Sequence, residues 1–218
     1  YEDKEGLIWI GTINKGIIVY NPQNDRFSNF SDFTEYSFIL TSITAISEDP
    51  NGDMWFGTKE NGLMFYDINK KTFKHFTYVS SNPHTISDNA ITRIFIDSQK
   101  KIWVGTTNGL NLYSQNNDKF ERITHDPGDV LSLAGKQVLE IFEDDSKVLW
   151  IGTDEGLNKY DRRQNAFVHI KNNPEDNNTL SNNNVWTICE DQSGNLWYGT
   201  DDGVSRFNPQ TGKYTTYN

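Results

Sequence analysis

The chain has one cysteine, Cys189, so an internal disulfide is excluded and cysteine usage leaves the compartment open. It has no apolar run of the length that crosses a bilayer as a helix, and no apolar stretch shaped like a secretory leader. Basic residues are scarce. Twenty Lys and Arg stand against 30 Asp and Glu, a formal charge of -10. Nucleic acid and anionic membrane are thereby argued against as partners, because an acidic surface releases no counterions from a polyanion. The four histidines, His75, His84, His125 and His169, show no metal-ligand spacing, so neither a metal nor a cofactor is expected. No nucleophile elbow, Cys-His pair or phosphate-cradling glycine loop is present, and no catalytic residue is nominated.

What the chain has in abundance is a repeat. Ile8-Trp9-Ile10-Gly11-Thr12 returns as Met54-Trp55-Phe56-Gly57-Thr58, Ile102-Trp103-Val104-Gly105-Thr106, Leu149-Trp150-Ile151-Gly152-Thr153 and Leu196-Trp197-Tyr198-Gly199-Thr200. The five tryptophans are spaced 46, 48, 47 and 47 residues apart. Tyr20, Tyr66, Tyr113, Tyr160 and Phe207 keep step with them. So do Phe27, Phe73, Phe120, Phe167 and Tyr214, each seven residues further on. A period in the forties, made of short strand-like segments and turns, marks a propeller blade. The expected fold is all-β: a β-propeller of four-stranded antiparallel blades, repeated at about 1–30, 43–76, 91–123, 138–170 and 185–218, one array over 1–218. Strands A to D follow in that order, with the tryptophan on B. The first repeat lacks most of strand A, which suggests a fragment of a longer array that self-associates or closes imperfectly.

The turns are legible too. Asp49-Pro50-Asn51-Gly52-Asp53 and Asp191-Gln192-Ser193-Gly194-Asn195 supply an aspartate for the turn backbone and a glycine for positive φ. The recurring glycine of strand B marks a close approach to the neighbouring blade. The D to A connections 77–90, 124–137 and 171–184 are polar, and each has an apolar anchor, Ile86, Leu133 and Leu180. The shorter 31–42 carries Phe33, Tyr36 and Phe38, the last in the anchor position. Cys189, within a strand A, reads as a small buried residue.

These units resemble the two-component regulator propeller repeat, with strand A ending Glu-Asp, a glycine turn, Leu-Trp-Ile-Gly-Thr, a second glycine turn and Gly-Leu-x-x-Tyr. Val185 to Phe207 matches nearly throughout, and 174–181 is similar to the family's inter-blade linker. The resemblance implies the periplasmic sensor of a membrane-bound hybrid histidine kinase that detects glycans, usually with seven blades. It also implies partners: an oligosaccharide ligand, and further repeats and a kinase module in the parent chain; a homodimer is expected from the cut first blade. A scaffold propeller that binds proteins is the alternative. The segment 47–55 is partly similar to the Asp box of sialidase propellers, a less favoured glycoside hydrolase reading, and the six arginines give no sign of a converging triad.

Strand alternation brings the D to A and B to C connections to one face. The candidate ligand residues there are His84, His125, Asp154, Glu155, Asp201 and Asp202, although an ordinary hydrophilic rim would carry the same residue types. Ala45, Arg93, Glu140 and Thr187 occupy one height of strand A, expected to line a channel, with Arg93 and Glu140 at its mouth either solvating it or holding a polar ligand. Trp186 is the nearest aromatic platform, though packing beneath the preceding blade is the fate its position suggests.

Overall fold

The computed structural model describes residues 1–30 and 41–217, so Phe33, Tyr36 and Phe38 lie outside the described residues. Among those described there are nineteen strands and no α-helix. Blade one is three-stranded: β1 (Ile8–Gly11), β2 (Ile17–Asn21) and β3 (Arg26–Asn29), with Glu2 making a single antiparallel bridge to Ile8 as the remnant of strand A. Four complete blades follow. Blade two is β4 (Ile43–Glu48), β5 (Met54–Thr58), β6 (Leu63–Asp67) and β7 (Thr72–Phe76). Blade three is β8 (Ile91–Ile96), β9 (Ile102–Thr106), β10 (Gly109–Ser114) and β11 (Lys119–Ile123). Blade four is β12 (Val138–Glu143), β13 (Leu149–Thr153), β14 (Gly156–Asp161) and β15 (Ala166–Ile170). Blade five is β16 (Val185–Glu190), β17 (Leu196–Thr200), β18 (Gly203–Asn208) and β19 (Lys213–Tyr217). Each sheet is a simple meander, as short strands joined by tight turns require.

The chain divides into two compact units, Tyr1–Thr106 with Asn111–Arg122, and Thr107–Leu110 with Ile123–Asn218. In the first unit, apolar residues fill the spaces between successive sheets. Trp9, Phe30, Phe56 and Tyr66 form one cluster, and Trp55, Leu63, Ile91, Val104 and Phe120 a second. In the second unit, Trp150, Leu157, Val185, Leu196 and Tyr198 join blades four and five. Ile86, Leu133 and Leu180, the expected anchors, are at most 1% exposed.

Two devices set the blade geometry. The first is a clamp around each A to B hairpin. Asp3 accepts the N–H groups of Glu5 and Leu7 on one carboxylate oxygen and the Trp9 indole N–H, at 2.7 Å, on the other. Asp97, Asp144 and Asp191 bind Trp103, Trp150 and Trp197 in the same way, at 2.9, 2.8 and 2.8 Å. In blade two Asp49 holds the turn N–H groups of Asn51 and Asp53, but Trp55 Nε1 has no hydrogen-bond partner. The second device is a missing side chain. A Cβ on Gly11 would stand 2.6 Å from Ile43 Cγ2, one on Gly57 2.5 Å from Ile91 Cγ2, and one on Gly152 2.5 Å from the Val185 carbonyl oxygen. Each clash is with the first residue of the next blade's inner strand, so glycine there sets how closely blades approach.

Cys189 corrects the sequence expectation: it is exposed. It pairs across the ladder with Trp197, as Phe142 pairs with Trp150, but the Phe142 face of blade four packs against blade five. Within this unit no other described sheet covers the corresponding face of blade five, where Val204 and Tyr217 are also exposed.

Two stability measurements check these devices. Gly57→Ala is expected to lower unfolding free energy by about 1–3 kcal/mol, since Ile91 cannot retreat without disturbing its own strand; an unchanged denaturation midpoint would refute the close approach. Trp103→Phe should cost about 1–3 kcal/mol more than Trp55→Phe, because it strips a donor from the buried Asp97 carboxylate while the Trp55 indole binds nothing. Equal losses would show that the clamp adds no stability.

Candidate functional site

Inner strands β4, β8, β12 and β16 share a register shift near their start, between Ile43 and Ala45, Ile91 and Arg93, Val138 and Glu140, and Val185 and Thr187. A bulge of this kind leaves one residue outside the ladder and re-aims its side chain. In blade five that residue is Trp186. It is 49% exposed, and its indole N–H donates to Asp201 Oδ1 at 2.5 Å. The expectation that it packs beneath the preceding blade is therefore corrected: the bulge turns the ring outward and a carboxylate of its own blade holds it there.

Asp201 and Asp202 sit in the β17–β18 turn. That turn is closed by the Thr200 hydroxyl, which donates to the Gly203 carbonyl and accepts the Asp202 N–H. From the preceding loop, the Asn184 side-chain amide donates to Asp201 Oδ2 at 2.6 Å, and that of Asn182 to Asp202 Oδ2 at 2.7 Å. The Asn184 amide and then the Trp186 indole hold the Asp201 carboxyl below its ordinary range. Beneath them Ser181 anchors the loop. Its N–H and hydroxyl meet the fully buried Ser205 hydroxyl, and its hydroxyl also meets that of Thr200.

The loop then encloses a polar cavity of about 820 Å³ together with β19, lined by Asn172, Asn173, Asp176, Asp202, Tyr214 and Thr216 among others. Asn178 Oδ1 accepts the Tyr214 N–H at 2.7 Å and fastens the loop to the outer strand. Burial pushes the Tyr214 phenol up to about 12, so it remains a neutral hydrogen-bonding group at physiological pH. The cavity was missed in the sequence. Its signal was the density of asparagine in 172–184 combined with the recurring Tyr214 position.

The other candidates take separate places. Asp154 Oδ1 accepts the Gln137 N–H while its own N–H donates to the Gln137 carbonyl, and Glu155 pairs with Lys171 at 3.7 Å on the surface of blade four. His125 Nδ1 lies 2.7 Å from the Leu133 carbonyl, so this imidazole braces its own loop. The His84 ring is exposed, and its carbonyl accepts the Phe120 N–H, pinning the loop to β11. Ala45, Arg93, Glu140 and Thr187 do share one register position, opposite Gly57, Gly105, Gly152 and Gly199. Arg93 Nη1 donates to the Thr92 carbonyl and Glu140 Oε1 accepts the Ile141 N–H. The structure thus brings together Trp186, Asp201 and Asp202, and sets Asp154 and Glu155 on the neighbouring blade.

Arginine chemistry is structural where its partners are seen. Arg122 donates to the carbonyls of Val79, Asn82 and Thr85 and lies over the Tyr78 ring, Arg162 pairs with Glu143 at 2.7 Å, and Arg206 lies over Trp197. Asp49 of the Asp-box-like segment spends its side chain on its own hairpin.

Three segments, residues 37–60, 85–108 and 179–202, match the family model of the two component regulator propeller, and each takes in one copy of the recurring phrase. Among solved structures, the extracellular domain of a hybrid two component system from B. thetaiotaomicron is 23% identical over 100% of this chain, with a TM-score of 0.76. A second such domain from the same organism is 26% identical over 92%, with a TM-score of 0.52. The chain spans only 29% and 31% of those two chains. Virginiamycin B lyase from Staphylococcus aureus, 12% identical over 100% of this chain and 68% of its own, has a TM-score of 0.70 and shares the propeller fold. Comparison with curated proteins finds no match.

The carboxylate of the rim sets a pH response. A depressed folded-state pKa contributes stability that is present above the unfolded value and lost as pH falls through the folded one. The Trp186 indole N–H resonance should therefore stay fixed from neutral pH down to about 4 and move only below the ordinary aspartate range near 3.8. Movement centred near pH 5 would show that Asp201 does not hold the ring.

Proposed function

We propose that this array of two-component regulator propeller repeats belongs to the extracytoplasmic, periplasmic sensor of a signalling receptor, that it is not itself an enzyme, and that it binds an oligosaccharide at the rim of blade five. The carrying observation is the fixed Trp186, held by Asp201 beside Asp202, Asn182 and Asn184, at the end of the blade that also bears the asparagine-lined cavity. Carboxylates and amides satisfy sugar hydroxyls in two directions, and an indole face takes the apolar side of the ring. The lowered carboxyl of Asp201 suits an acceptor for sugar hydroxyls and not the acid of a glycosidase, which needs a carboxyl raised towards neutrality. The similarity to extracellular domains of hybrid two component systems supports the receptor setting, with a kinase module and further repeats elsewhere in the parent chain. Glu140, His125, Asp154 and Glu155 are further candidates in the same unit, and Arg93 and His84 are candidates in the other.

A protein-binding scaffold, or a homodimer, is the competing reading, favoured by the exposed Val204 and Tyr217 of blade five. An oligosaccharide array followed by calorimetry separates the readings. One glycan class should bind, and Trp186→Ala should weaken it about tenfold, the equivalent of ~1.4 kcal/mol. Binding that survives Trp186→Ala unchanged would remove the rim from the site, and a blank array with concentration-dependent dimerisation would favour the scaffold.

A further inference from the structure

The opposite end of blades four and five, where the A to B and C to D hairpins lie, carries a second pair of cavities. In blade two the Trp55 ring is flanked by Phe65 and Phe76, with centroids 4.8 and 6.0 Å away. In blade four the equivalent positions hold Lys159 and Ile170. Lys159 Nζ stands 5.7 Å from the centre of the Trp150 ring. Losing two aromatic neighbours leaves a groove of about 660 Å³ along Trp150, Ile170, Phe207 and Tyr214. A second cavity of about 720 Å³ is also lined by Ser146, Val148 and Lys159, so the two adjoin at these residues.

Charge distinguishes this pair from the rest of an acidic chain. The second cavity is lined by Lys147, Lys159, Arg162 and Arg163 against one carboxylate, Asp161, whose Oδ1 is taken by the N–H groups of Arg163 and Gln164. Arg162 pairs with Glu143. The acidic residues of the groove are also engaged: Asp144 holds Val148 and Trp150, and Glu190 Oε2 accepts the Asp145 N–H at 2.7 Å. Among the described residues Lys147, Lys159 and Arg163 have no carboxylate within ion-pair distance, and Lys147 and Arg163 are exposed. Lys147 moreover has φ of 66°, at a turn position that is glycine in blades one, two and five.

We propose that these adjoining cavities together form one binding site for a sugar-sized ring bearing a negative charge, a carboxylate or a sulfate or phosphate ester, distinct from the cluster of Trp186, Asp201 and Asp202 and sharing only Tyr214 with the asparagine-lined cavity. The ring lies in the groove against Phe207 and Tyr214, and the anionic group reaches Lys147, Lys159 and Arg163. The volume of the groove falls in the range of small-molecule sites.

The test is calorimetry on the intact protein with glucuronic acid, glucose and inorganic sulfate. Glucuronic acid is expected to bind at least tenfold more tightly than either of the others, with an affinity that falls as salt rises. Lys147→Asn combined with Arg163→Gln, both exposed positions, should reduce glucuronic acid binding at least tenfold while leaving the thermal midpoint and any neutral oligosaccharide bound at the rim unchanged. Equal binding of glucose would remove the anion requirement, equal binding of sulfate would remove the ring, and an unaffected double variant would remove the cation cluster; any of these overturns the proposal. Failure of the rim reading shows separately, as a neutral glycan that never binds.

Discussion

The bond from an aspartate at the end of each inner strand to the indole of the next strand, seen in four of the five blades, is what the remaining architecture rests on. One carboxylate oxygen gathers the N–H groups of the hairpin and the other fixes the ring six residues later. A tryptophan held at its nitrogen can present only one orientation to the neighbouring sheet. The aromatic residues of that sheet are then packed against a rigid object. Because the indole occupies the space between sheets, the glycine two residues beyond it can let the next inner strand approach. Turn and ring are therefore fixed by one side chain in four blades, while blade two keeps the same close approach at Gly57 without the bond.

Much of this was legible because each element carries a local signature. The phrase Leu149 to Thr153 announces a strand, Gly194 a turn, and Leu180 an anchor, and the structure places them so. An aspartate six residues before the tryptophan recurs in all five repeats, at Asp3, Asp49, Asp97, Asp144 and Asp191, yet the bond is made in four, so the spacing permits the bond without dictating it. Trp186 and Cys189 were misjudged for a different reason. Burial depends on what lies against a face, and the re-aiming of a bulged residue depends on a register shift that period-two alternation does not encode. The rim was legible as a set of polar turn residues. Which of them would touch was not, since that required knowing that Asn184 and Trp186 converge on a single carboxylate.

The long connections do more than join blades. Each one lies along the outer strand of the blade that follows it, where the His84 carbonyl takes the N–H of Phe120, the Leu131 carbonyl that of Phe167, and the Asn178 side chain that of Tyr214. An outer strand with unpaired N–H groups is a template for association. These loops satisfy part of that edge, which explains why polar segments fourteen residues long are ordered by Asx turns and threonine hydroxyls such as Thr85 and Thr179.

Finally, the bulge at the head of each inner strand gives the fold an interchangeable slot. Thr44, Thr92, Leu139 and Trp186 occupy it, a hydroxyl twice, an aliphatic chain and an indole, standing outside a ladder that is otherwise the same in every complete blade. Thr44 uses it to reach the Ile91 carbonyl at 2.6 Å, whereas Trp186 uses it to face solvent. Since no cross-strand pair depends on that residue, its identity can be exchanged without shifting the register of the blade. A repeat built this way can vary the side chain in that slot one blade at a time while every hydrogen-bond ladder stays as it was.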